Sequence, residues 1–113
     1  MKNRQRNKLL KQAYNYLQRY RIEAPEYPKW DRRELYHFPD DWGASVILGD
    51  GSHGLEVAVL NFFEEGSKLY WELNPSTYIC TDPIGYLDEN GLREVLVRIF
   101  NLAEKYMPTE EED

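Results

Sequence analysis

The spacing of apolar residues changes twice along the chain, and that change constrains the fold to helices packed on a sheet. Near the start, Leu10, Ala13, Tyr14, Leu17 and Tyr20 recur at steps of three, four and seven, which places them on one face of a helix. Arg4, Lys8, Lys11, Asn15 and Arg19 fall on another face. From Ala44 the period shortens to β-rich runs at Ser45 to Leu48, Leu55 to Phe62, Leu69 to Leu73 and Thr77 to Cys80. Turn residues separate them at Gly49-Asp50-Gly51-Ser52, Glu64-Glu65-Gly66-Ser67 and Asn74-Pro75-Ser76, and connections this short join antiparallel neighbours. The helical period then returns in Leu92, Val95, Leu96, Ile99, Leu102, Ala103 and Tyr106.

The resulting expectation is an α+β chain. Its N-terminal helix runs from about residue 3 to about residue 21, since Pro25 disfavours helix before it. An antiparallel meander of three or four strands follows. The C-terminal helix starts at Asp88, whose side chain can accept from free amides, and stops at Pro108. Both helices are expected on one sheet face. Residues 1–108 are read as one domain and 109–113 as an acidic, disordered tail.

Pro25, Pro28 and Pro39 punctuate a stretch rich in aromatics, including Tyr27, Trp30, Tyr36, Phe38 and Trp42. It reads as an ordered connection lying on the sheet, because that much apolar area is costly to leave in water. The content of 3 Trp, 9 Tyr and 4 Phe in 113 residues is too apolar for wholesale disorder.

No apolar run approaches the ~20 residues of a membrane helix. The start is basic and lacks the apolar stretch of a secretory signal, and Cys80 stands alone, so a reducing, cytoplasmic setting is expected.

The net charge of −6 conceals a division. Residues 1–22 carry Lys2, Arg4, Arg6, Lys8, Lys11, Arg19 and Arg21 with no acid, so all 20 acidic residues lie beyond them. Such asymmetry points to an anionic partner for the first segment or to a match between the two parts of the chain. Nucleic-acid binding would use Arg4, Arg6, Lys8, Lys11 and Arg19 against phosphates.

Catalytic and metal-binding signatures are absent from the sequence. His37 and His53 lack the short spacing of a zinc site, and the acid pairs Asp40-Asp41, Glu64-Glu65 and Asp88-Glu89 sit where turns and helix starts favour acids. Cys80, inside Tyr78-Ile79-Cys80, reads as a strand residue that packs. No catalytic residue, cofactor or metal is expected.

The run Leu55-Glu56-Val57-Ala58-Val59-Leu60, with Trp71, Tyr78-Ile79-Cys80-Thr81-Asp82-Pro83 and Ile84-Gly85-Tyr86-Leu87 leading into a Leu-rich helix, resembles small uncharacterised proteins encoded by phages and prophages of Gram-positive bacteria. The resemblance covers residues 55–102. It implies a bacterial cytoplasm and an accessory role in which a host or phage protein is bound. Combined with the aromatic, acidic composition, the leading expectation is a non-enzymatic interaction protein that binds a host or phage protein and could inhibit it, with Trp30, Tyr36 and Trp42 as partner-binding anchors. An open sheet also leaves edges through which a homodimer could form.

Overall fold

The computed structural model describes residues 3–24, 30–74 and 84–102, with the side chains of Asn3 and Trp30 outside that description. The expected strand at Thr77 to Cys80, the residues beyond Leu102 and the acidic tail lie outside it as well.

Helix α1 spans Asn3–Leu17 and buries Leu9, Leu10, Ala13 and Leu17, the stripe its periodicity dictates. It ends earlier than the sequence suggests. Gln18–Tyr20 tighten into one turn of 3-10 helix, and Arg21–Ile22 form a short strand, β1. This break turns Tyr20 onto Phe38 and Phe100, at ring-centroid distances of 5.8 and 5.3 Å. It also satisfies the backbone of Arg21 and Ile22 by pairing them with Tyr36 and Leu35.

Among the described residues the sheet has five strands, where three or four were expected. Strand β2 is Trp30–His37, β3 is Trp42–Gly49, β4 is Glu56–Glu65 and β5 is Lys68–Leu73. All pair antiparallel in sequential order from β1 to β5. Strand β1 comes from the end of the expected helix, and β2 from the segment expected to be a connection lying on the sheet. Residues 30–37 are in fact its second strand, paired with β3 from Trp30↔Gly49 to His37↔Gly43. Pro39 falls between strands, where its missing N–H breaks no ladder. Asp40 and Asp41 turn the chain in left-handed conformations, φ 59° and 63°, which Asp tolerates.

Helix α2, Glu89–Phe100, buries Leu92, Val95, Leu96, Val97, Ile99 and Phe100. Asp88 caps it as its position suggests, with Oδ1 accepting from the Gly91 amide at 2.6 Å. Replacing Asp88 by Ala is expected to cost about 1 kcal/mol, read as a lower thermal midpoint with the same folded spectrum.

Both helices pack on one sheet face. There Tyr36, Phe38, Ala44, Val46, Val57 and Val59 meet Ala13, Leu17 and the α2 stripe in one continuous core. The opposite face carries a separate cluster of Leu35, Leu60 and Phe62, joined by Ile22, Ala24 and Trp71. Among the described residues no helix is long and apolar enough to cross a membrane.

Candidate functional site

Two places combine polar groups or exposed apolar surface in a way that simple packing does not require. The first is a hydrogen-bond network between the sheet and both helices. Glu34 is only 5% exposed, on the helix-facing side of β2. Its carboxylate accepts from Tyr14 Oη at 3.0 Å, Tyr36 Oη at 2.5 Å and Arg32 Nε at 2.6 Å. Gln18 Nε2 donates to Tyr36 Oη at 2.9 Å, and Arg32 also bridges to Glu89 at the start of α2.

Burial alone pushes the Glu34 carboxyl up, but hydrogen bonds from Tyr36 and Arg32, the Arg32 charge and the Tyr14 hydroxyl outweigh it and hold the group below its ordinary value. Burial and the Glu34 hydrogen bond push the Tyr36 hydroxyl well above its ordinary value. These groups therefore keep one charge state near neutrality, the opposite of what proton transfer needs. The network ties α1, β2 and α2 together.

The second place is the opposite face, where register brings residues into rows. Arg33, Ile47 and Glu56 are direct cross-strand neighbours on β2, β3 and β4. The next row is Leu35, Ser45 and Ala58, and beyond it stand the pairs Leu60↔Leu73 and Phe62↔Trp71. Small Ser45 and Ala58 at the centre, flanked by longer side chains, leave a recess of about 220 Å³ lined by Arg33, Ser45, Ile47, Glu56, Ala58, Trp71 and Leu73. Arg33 reaches from β2 toward β5, its guanidinium carbon 5.9 Å from the Trp71 ring centroid, within cation–π range. Burial lowers the pKa of Arg33. Glu56 is anchored by accepting from the His53 amide at 2.8 Å.

The anchors expected from sequence sit elsewhere. Tyr36 is fully buried, with its hydroxyl committed to Glu34 and Gln18, and it cannot be presented to a partner. A tyrosine in a proline-rich stretch looks exposed when the stretch is taken for a loop. In a strand covered by two helices it becomes core. Trp42 is half-buried and packs against the helix-side core. Trp30 pairs through its backbone with Gly49, and its side chain lies outside the described residues. The recess is lined instead by residues not expected as anchors from sequence, Trp71 and Leu73, with Ile47 and Ala58 between them and Arg33. Their signal was the apolar residues at alternate positions 69, 71 and 73 of β5, opposite an already apolar β4.

Arg4, Arg6, Lys8, Lys11 and Arg19 are all exposed along the N-terminal helical segment. Arg6 pairs with Glu94 of α2, and Arg19 donates to the Tyr16 carbonyl while lying 3.9 Å over that ring. His53 is exposed in the β3–β4 loop, and His37 stacks on Phe62 at 4.2 Å. Among the described residues no group of three His, Cys, Asp or Glu is placed to hold a metal, and Cys80 lies outside them. No protein-family model, curated protein or solved structure matches the chain.

Proposed function

We propose that the protein is a non-enzymatic interaction module that binds another protein through the recess on the helix-free face of its sheet. The observation that carries this reading is the recess itself: a largely apolar hollow with Ile47, Ala58 and the small Ser45 at its floor, walled by Trp71 and the exposed Leu73, with Arg33 and Glu56 also lining it. An apolar hollow with few polar groups at its rim suits insertion of an apolar side chain from a partner, and tryptophan and arginine are the residue types that anchor such contacts. The resemblance of residues 55–102 to phage and prophage proteins supports a bacterial protein of the host or phage as that partner, met in the cytoplasm.

The competing reading places nucleic acid on the basic face of α1, where Arg4, Lys8 and Lys11 are exposed. One experiment separates the two. Tagged full-length protein is used to capture partners from a Gram-positive bacterial lysate after nuclease treatment, in parallel with Ala58→Leu, which fills the recess, and with Arg4→Glu/Lys8→Glu/Lys11→Glu. The expected result is a protein retained by the wild type and the charge variant and lost from Ala58→Leu, whose circular dichroism stays native. Capture that disappears with nuclease, or with the charge variant alone, overturns the proposal in favour of the helix.

A further inference from the structure

We infer that the outer edge of β5 pairs with the β5 of a second copy of this chain, joining two five-stranded sheets about a two-fold axis at Tyr70. Strand β5 is the last of the sheet, and among the described residues no strand lies on its far side. All of Lys68–Leu73 except the half-buried Trp71 is exposed, with Leu69 at 42%, Tyr70 at 42% and Leu73 at 56%. An exposed apolar edge invites pairing with another strand.

The backbone fixes which residues could meet. Glu65 and Lys68 flank a two-residue loop, so they form a hydrogen-bonded pair whose polar groups point into the β4–β5 ladder. The alternation continues to Asn74, whose amide donates to the Val59 carbonyl at 2.9 Å. The amides and carbonyls of Leu69, Trp71 and Leu73 therefore point outward. A two-fold axis at Tyr70 places Leu69 against Trp71 of the second copy, so that outward groups meet outward groups. Tyr70 then faces its own symmetry mate, and Lys68 faces Glu72 of the second copy, in the closer, non-hydrogen-bonded positions.

Side-chain chemistry selects this register. It matches each cation with an anion at both ends of the pairing, joins leucine to tryptophan on one face and continues the Phe63–Tyr70 stack, 5.7 Å between centroids, across the axis on the other. Sliding by two residues in either direction sets Tyr70 opposite Glu72 or opposite Lys68 and breaks both ion pairs. A surface complementary to itself in this way is what an isologous dimer requires. The recess floor of Ser45, Ile47 and Ala58 lies on the inner strands β3 and β4, away from the paired edge, while its wall residues Trp71 and Leu73 belong to the paired strand.

The test is sedimentation of the full chain over a range of concentrations, with charge exchange as the discriminating step. The wild type should sediment at twice the chain mass. Lys68→Glu or Glu72→Lys alone should sediment as folded monomers, because each sets like charges opposite each other. The double variant, and an equimolar mixture of the two single variants, should recover the dimer. A wild type that stays monomeric throughout, or a dimer that survives either single reversal, overturns the inference. Ala58→Leu should dimerise normally, so failure of the recess reading and failure of this one are separately visible.

Discussion

Replacing Glu34 with alanine is expected to lower the free energy of unfolding by about 3–5 kcal/mol, the range for removing one partner of a buried ion pair. The loss exceeds that of a surface carboxylate because three donors converge on this one. Tyr14, Tyr36 and Arg32 would all lose this acceptor, and a buried donor left unsatisfied, as the Tyr36 hydroxyl would be, costs about 1–3 kcal/mol. Glu34→Gln keeps the shape but not the charge, and should lose less. The measurement is the denaturant midpoint of the wild type and both variants at neutral and acid pH. The sign of the pH effect follows from the direction of the shift. Glu34 is held below its ordinary carboxylate value when folded, so its ionisation stabilises the fold fully above that ordinary value. The contribution is lost as the pH falls from there through the folded value. The wild type should therefore lose stability more steeply than Glu34→Gln below about pH 4–5. Parallel pH profiles would show that the network contributes no such linkage.

The same network explains where the sequence was legible and where it was not. Both helices could be read because each has one apolar stripe and buries it against one sheet face. Strands β3, β4 and β5 could be read because they are rich in β-branched and aromatic residues between glycine turns. Strand β2 could not. Its helix-facing positions are Arg32, Glu34 and Tyr36, and a polar set inside a core erases the alternation that marks a strand. Its flanking prolines strengthened the false impression of a loop, although prolines beside a strand are compatible with it. Hydrogen-bond partners from three separate elements make this strand viable, and no local window contains them.

The recess was hidden for a different reason. Its depth comes from Ser45 and Ala58, residues too small to draw attention, and they become neighbours only once register is known. Trp71 was visible as an aromatic residue but not as the wall of anything, since Arg33 reaches it from the far side of two intervening strands. The charge division of the sequence, by contrast, carried a real signal: Arg6 of α1 does pair with Glu94 of α2. The helix pair uses part of the asymmetry internally.

Gly43→Ala should produce the second large effect, about 2–3 kcal/mol of destabilisation, from a single added methyl group. A Cβ at Gly43 would lie 2.3 Å from Phe62 Cε2 and 2.4 Å from the Tyr36 carbonyl oxygen, both far inside contact distance. The ring could swing away, though only by giving up its stack on His37. The carbonyl is less forgiving, because Tyr36 belongs to a ladder in which Gly43 itself pairs with His37 and Leu60. Alanine would otherwise be favoured in a strand by roughly 0.5–1 kcal/mol over glycine, so the clash must exceed that gain for the sign to be destabilising, and two overlaps of this depth do. A double-mutant cycle with Phe62→Ala divides the effect. Removing the ring should relieve part of the Gly43→Ala penalty and leave the part owed to the Tyr36 carbonyl, whereas complete relief would mean that the backbone adjusts freely. Phe62 also pairs with Trp71, so displacing it shifts the recess wall. Partner capture by Gly43→Ala should therefore fall even at temperatures where the variant remains folded.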